Sequence, residues 1–285
     1  MTYHLAIGDR SYSSWSLRAW LLFAKWNIPV RVETARIYTD ELPTLLQRYA
    51  PSRLVPAMKR DGVVTHDTLA IAETLAEDHI TMWPTDAAAR AHARSMTAEM
   101  HSGFPALRLA CPMNLLHGWD GFAPAEDVLA DCARIETLWS AALQASGGPW
   151  LFGDYTVADA FYAPVATRFA TYGLPRGGDA GAYIAKTLAD GHFRRWRAMG
   201  VAENYVQTAY DMGLPHVSWS GPTPIPAQAV SGSDAENDRC PYSGDPVTDV
   251  LEIDGRRIGF CNPFCRDKTV ADPAAWPAFM AIYEK

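Results

Sequence analysis

The first residues that could do chemistry are three serines in one turn, Tyr12-Ser13-Ser14-Trp15-Ser16-Leu17-Arg18. The turn follows an apolar run, Leu5-Ala6-Ile7, and opens another, Trp20-Leu21-Leu22-Phe23-Ala24. Hydroxyls between a strand and a helix N-terminus can hold an anion or a thiolate. The first-turn amides there are unpaired, and the helix dipole favours negative charge. Further on, Leu54-Val55-Pro56-Ala57-Met58 contains an X-Pro bond, and Asp67-Thr68 sets a carboxylate and a hydroxyl before a helical run. A cysteine group comes late: Cys240-Pro241-Tyr242-Ser243-Gly244, then Cys261-Asn262-Pro263-Phe264-Cys265.

The elements that must position these residues follow from periodicity and punctuation. Residues 3–8 read as a short strand, and residues 16–27 as a helix with Ser14 or Ser16 as N-cap, stopped at Pro29. Val30-Arg31-Val32-Glu33-Thr34 alternates as a half-buried strand does. Asp40 to Tyr49 is helical and ends at Ala50-Pro51. Asp61-Gly62 marks a hairpin. Leu69 to Ala76 has helical periodicity, with Asp67 or Thr68 as N-cap. The order is β-α-β-α-β-β-α.

With Ser13-Ser14-Trp15-Ser16-Leu17-Arg18, Leu54-Val55-Pro56-Ala57 and Asp67-Thr68-Leu69-Ala70-Ile71 in that order, the chain resembles the glutathione S-transferase family. The serine turn is most similar to the bacterial zeta-like (maleylacetoacetate isomerase-like) branch. The resemblance covers about the first three quarters of the chain. It implies an α/β thioredoxin-like N-terminal domain followed by an all-α C-terminal domain. It also implies roles. Ser13 matches the family's activating serine, with Ser14 as the adjacent alternative. A hydroxyl aimed at the glutathione sulfur favours the thiolate of a thiol whose free pKa is about 8.5. Pro56 matches the family's cis-proline, which turns the Val55 backbone toward the glutathione cysteine like an added strand. Asp67 and Thr68 match the pair that holds the γ-glutamyl end, Asp-Thr here for the usual Glu-Ser. Trp15 stands where the zeta motif usually has cysteine. Arg18 matches an arginine of that motif but reads first as a solvated or structural charge. His66 receives no role.

Asp86 to His117 reads as a long helical stretch bent at Gly103 and Pro105. Within it, Met100, His101, Phe104, Leu107 and Arg108 are candidates to line an electrophile groove between the domains; the apolar ones read equally as core. Pro124 to Ala145 is a further helix, stopped by Gly147-Gly148-Pro149. Thr156 and Asp159 have capping-box spacing, a stability device rather than a catalytic one. Cys111 and Cys132 are expected in helices and in the core.

Residues 215–238, with Pro215, Pro222, Pro224, Pro226 and Ser231-Gly232-Ser233-Asp234, read as a linker. Beyond it, a Cys-Pro-x-x-Gly knuckle, an Asp254-Gly255 hairpin signal and a Cys-x3-Cys pair resemble small metal-binding modules of the YHS type. An ordinary zinc site needs four ligands, and Ser243 stands where a second knuckle cysteine would be. A metal-free hairpin and a redox-active thiol pair are the alternatives for Cys240, Cys261 and Cys265. The expected organisation is therefore 1–82 thioredoxin-like, 86–214 all-helical, 215–238 linker, and 239–285 a small Cys-containing β-hairpin tail.

Bulk composition excludes several classes. Basic and acidic side chains number 9 and 9 over residues 1–84, 10 and 13 over 85–216, and 6 and 10 beyond. With net charge −7 and no basic stripe, nucleic acid is not an expected partner. No apolar run reaches the roughly eighteen residues of a membrane span and no signal peptide opens the chain, so a cytoplasmic location is the expectation. The leading expectation is an enzyme that uses glutathione as co-substrate, with no other cofactor, to attack a small electrophile; a homodimer is implied by the resemblance. A non-catalytic binding or regulatory protein with a metal-binding C-terminal module is one alternative. A glutathione-dependent cis-trans isomerase is the other.

Overall fold

The computed structural model describes residues 2–232 and 234–285; Ser233, in the expected linker, lies outside the described residues. The chain divides into two compact units, residues 1–188 with 207–220, and residues 189–206 with 221–285.

The first unit begins with β1 (Tyr3–Ile7), α1 (Ser14–Lys25), β2 (Val30–Thr34), α2 (Glu41–Leu46), β3 (Ala57–Arg60), β4 (Val63–His66) and α3 (Thr68–Asp78). The strands form one sheet in the order β2-β1-β3-β4. β1 runs parallel to β2 and antiparallel to β3, with Leu5 opposite both Val32 and Met58. Leu5, Ala6 and Ile7 are fully buried, as a central strand covered on both faces requires. The β3–β4 turn places Asp61 and Gly62 at φ 50° and 85°, the two left-handed residues of a tight hairpin. α1 packs on α3 and, on another side, on α7 (Val157–Thr171).

The helical part of this unit contains α4 (Ala87–Ser102), α5 (Pro105–Ala110), a short β5 (Gly118–Trp119), α6 (Glu126–Ser146), α7 and α8 (Gly178–Ala189). Every residue of α7 is buried, so it is the central helix rather than an amphipathic one. Its capping box forms as the spacing predicts. Asp159 accepts from Thr156 N at 2.8 Å and from Leu151 N and Tyr183 Oη at 3.1 Å each. Burial nevertheless pushes the Asp159 carboxyl up to about 6, against the pull of those donors.

Several boundaries differ from the sequence expectation. The N-cap of α1 is Ser13, neither Ser14 nor Ser16. Its oxygen is the one within reach of the third helical amide, Ser16 N–H. The stretch 86–117 is not one bent helix. Phe104 takes a left-handed φ of 56° between α4 and α5, and the helix stops at Ala110 because Pro112 disfavours helical geometry at Cys111. Cys111 thus caps α5 rather than lying in a helix; it is buried, as is Cys132 in α6.

The second unit holds α9 (Gly191–Ala202), β7 (Gln228–Val230), β8 (Asp249–Ile253), β9 (Arg256–Phe260), α10 (Pro263–Ala271) and α11 (Pro277–Tyr283). The Asp254-Gly255 hairpin is present and β7 extends it to three strands. β7 and the short strand β6 (His216–Val217), which pairs with β5 in the first unit, both fall within residues 215–238. Leu251, Ile253, Ile258, Phe260 and Phe279 make the core of this unit, with Ala198 of α9. Arg194 of α9 clamps Asp272 through two contacts, Nε–Oδ2 at 2.8 Å and Nη2–Oδ1 at 2.6 Å. No helix among the described residues is long and apolar enough to cross a membrane.

Candidate active site

The first unit contains a cavity of about 1010 Å³. All six residues singled out from the sequence lie on it: Ser13, Ser14, Val55, Pro56, Asp67 and Thr68. They reach it from three places, the N-terminus of α1, the chain before β3 and the N-terminus of α3.

At the first place, Ser13 and Ser14 are both largely buried. The Ser13 and Ser16 hydroxyls lie 2.7 Å apart, Ser16 N–H donates to Ser13 Oγ at 3.3 Å, and Gly8 N–H donates to Ser16 Oγ at 2.9 Å. Asp9 fixes the loop beside them. Its carbonyl accepts from Ser13 N–H at 2.8 Å and its carboxylate from Ile37 N–H at 2.8 Å. Gly8 is required by close packing, since a Cβ there would lie 2.7 Å from Ile37 Cγ2.

At the second place the Val55–Pro56 bond is cis. Val55 precedes β3, and its N–H and C=O make no hydrogen bond among the described residues. A backbone segment with both groups free can pair with an extended ligand.

At the third place Asp67 caps α3 with a left-handed φ of 75°. Its Oδ1 accepts from Leu69 N–H at 2.8 Å, and its Oδ2 lies 3.3 Å from His101 Nε2. Thr68 is fully buried and its Oγ1 has no hydrogen-bond partner. A buried hydroxyl without a partner beside a cavity is positioned for a ligand acceptor.

Trp15, Arg108 and Arg168 line the cavity too, with Arg18 and His101 packed behind Trp15's ring rather than on the cavity surface. Trp15 lies under two guanidinium groups, Arg18 at 4.5 Å and Arg108 at 5.0 Å, and His101 meets its edge at 5.2 Å. Arg18 is buried with Nε and Nη1 unpartnered. Desolvation, with lesser repulsion from Arg168 and Arg108, pulls it down to about 9. Arg168 of α7 also lines the cavity, held by the carbonyls of Cys111 at 2.8 Å and Pro164 at 3.1 Å. Burial lowers the Arg108 and His101 pKa values as well.

Of the groove candidates on α4 and α5, Arg108 lines the cavity. Met100, Phe104 and Leu107 are core, and His101 faces Asp67 and Trp15 instead. Arg168 and Tyr210 were missed. Arg168 had a signal, the lone cation in a mostly apolar helix. Tyr210, whose ring lies 5.1 Å from that of Tyr12, had none. The arrangement offers two helix N-termini, a free backbone segment before β3 and an excess of positive charge. It can hold a small peptide-like anion in an extended form.

Residues 12–78 match the glutathione S-transferase N-terminal domain family. A Caenorhabditis elegans protein named "Probable maleylacetoacetate isomerase" is 30% identical over 170 residues, 56% of this chain and 77% of that one. A glutathione transferase homolog from Burkholderia BGR1, solved with bound glutathione, covers 70% of this chain and 99% of its own at TM-score 0.54 and 21% identity. Glutathione transferase Omega 3C from Trametes versicolor covers 68% and 83% at TM-score 0.52 and 19% identity. The likeness to the two solved structures is one of fold.

Proposed function

Because the chain belongs to the glutathione S-transferase family, we propose that it binds glutathione in this cavity and lowers the pKa of its thiol for attack on a small electrophile. The observation that carries the reading is the free Val55 backbone flanked by the N-termini of α1 and α3. The glutathione cysteine pairs with Val55, and its sulfur lies against the start of α1. The γ-glutamyl carboxylate takes the Thr68 hydroxyl and the Thr68 N–H at the start of α3; its ammonium takes Asp67.

Ser13 is the thiolate donor in this reading. Its hydroxyl proton must turn from Ser16 to the sulfur. A hydrogen bond to an anion is roughly twice as strong as a neutral one, so the exchange is favourable. The Ser13–Ser16 contact persists with its direction reversed, Ser16 then donating to Ser13. Ser14, with no side-chain hydrogen bond among the described residues, is the alternative donor. The serine acts by electrostatic stabilisation, with no covalent intermediate on the enzyme. The protein works as a homodimer in this reading.

A second reading is supported by the isomerase-named relative and by Arg108 and Arg168 on the cavity wall. Here the thiolate adds to a conjugated, anionic olefin, the carbon–carbon bond rotates, and the thiolate leaves. Titration of the protein with glutathione, followed by thiolate absorbance in wild type and Ser13→Ala, tests the shared first step. Binding without thiolate formation would overturn it. Product analysis separates the two readings: one consumes glutathione and the other returns it.

A further inference from the structure

Asp67 divides its carboxylate between two tasks. Oδ1 accepts from Leu69 N–H at 2.8 Å and from Ala70 N–H at 3.4 Å, so it belongs to the start of α3. Oδ2 is the oxygen left for a ligand, and His101 Nε2 lies 3.3 Å from it. Asp67 is exposed and lines the cavity. His101, half-buried near the end of α4, is not among the lining residues.

Two aromatic rings hold the imidazole in place, Trp15 at 5.2 Å and Phe161 at 6.1 Å. Its Nδ1 is buried with no hydrogen-bond partner. An imidazolium carries an N–H on each nitrogen, so the charged form would leave one buried donor unpaired there. The neighbouring charges are unequal in sign. Arg18 of α1 and Arg108 of α5 oppose a proton on His101, as burial does, and only Asp67 at the start of α3 favours one. The charged form of His101 therefore depends on the negative charge of Asp67.

An ammonium in hydrogen-bond contact with Oδ2 would stand at most about 6 Å from Nε2, because both nitrogens reach the same oxygen. At that separation two positive charges repel, and here they share one counter-charge.

We propose, resting on the glutathione reading above, that the γ-glutamyl ammonium and a proton on His101 compete for Asp67, so that ligand binding expels that proton and acidification expels the ligand. Neutral His101 leaves the Asp67 charge whole for the ligand; protonated His101 cancels it. Each weakens the other by the same factor, as linkage requires. Below the folded-state pKa of His101 one proton passes to solvent for each ligand bound, and no covalent bond of the ligand changes.

The probe is S-methylglutathione, which has no thiol to titrate, with its analogue lacking the γ-glutamyl amino group as control. Calorimetric titration of the full-length protein at about pH 7.5 and about pH 5 gives the first readout. On acidification wild type should lose at least threefold more affinity for S-methylglutathione than His101→Gln does, and at least threefold more than wild type loses for the control. Proton NMR of the wild-type protein gives the second, and it needs no variant to fold. The His101 imidazole should titrate at least 0.5 pH unit lower when saturated with S-methylglutathione and should not move with the control. Equal losses in wild type and His101→Gln, or a His101 titration that the ligand leaves in place, would overturn the proposal while the glutathione reading stands. Failure of S-methylglutathione to bind at pH 7.5 would overturn both.

Discussion

Ser13 Oγ and Ser16 Oγ lie 2.7 Å apart at the start of α1, with Gly8 N–H holding the Ser16 side. Either hydroxyl can be the donor of that contact, since one proton rotates without moving a heavy atom. Ser13 can therefore turn its proton to a sulfur and keep its neighbour.

This geometry ranks three variants. Removing a direct donor to developing negative charge typically costs about 10²-fold in rate. Ser13→Ala should lose about that in kcat/KM, Ser16→Ala a smaller factor of about 3–10 through one lost neutral hydrogen bond, and Ser14→Ala less than either. A larger loss in Ser14→Ala than in Ser13→Ala would move the donor role to Ser14.

Thr68→Val separates binding from folding. Thr68 Oγ1 has no partner in the protein, so its loss should leave stability unchanged or raise it by up to about 1 kcal/mol. Glutathione affinity should fall about tenfold, the value of one hydrogen bond to a charged group. Calorimetric titration and thermal melting on the same sample would show both, and an unchanged Kd would remove Thr68 from the ligand contacts.

His101 gives a pH dependence of stability. Desolvation, with Arg18 and Arg108, lowers its pKa below 6.5, and only Asp67 opposes them. The unfolded chain therefore takes up the His101 proton first as pH falls. The His101 contribution is fully present above about pH 6.5 and is lost on acidification through the folded pKa. Denaturant unfolding of wild type and His101→Gln between pH 5 and 8 should show a stability difference that changes in this window and is flat above it. A difference independent of pH would contradict the assignment.

The Arg194–Asp272 clamp should be costly to break from one side. Asp272 is 4% exposed, and Arg194→Met leaves its carboxylate buried without the guanidinium. The expected loss is about 3–5 kcal/mol, with part recovered in the Arg194→Met, Asp272→Leu double variant. Denaturant unfolding of all three proteins would measure it. A single-variant loss below about 1 kcal/mol would mean that water or the neighbouring Arg197, which also acts on Asp272, compensates the carboxylate.

Much of the fold was legible because its signals are local. Asp61-Gly62 and Asp254-Gly255 announce their turns, and Thr156 with Asp159 announces the start of α7. The six cavity residues were singled out by the family resemblance of the short runs that carry them, runs that flank helix starts and a proline. What failed depended on competition or distance. The run after Ala110 has helical composition, but Pro112 prevents the helix from continuing. Ser13 rather than Ser14 or Ser16 caps α1 because one oxygen reaches the third amide, which spacing alone does not decide. Arg168 and Tyr210 reach the cavity from more than 150 residues beyond Ser13, and no periodicity in their own segments points there.

The choice of arginine at position 18 sets how durable the buried charge beside Trp15 is. Its surroundings lower the side chain to about 9 from an unperturbed 12.5, and at that value the cation survives neutral pH. A lysine begins lower, near 10.4, and the same loss of solvent would pull it down toward neutrality. Its charge would then answer to the pH of the medium, and the field at the start of α1 with it. Arginine makes that field a constant of the protein rather than a variable of its medium.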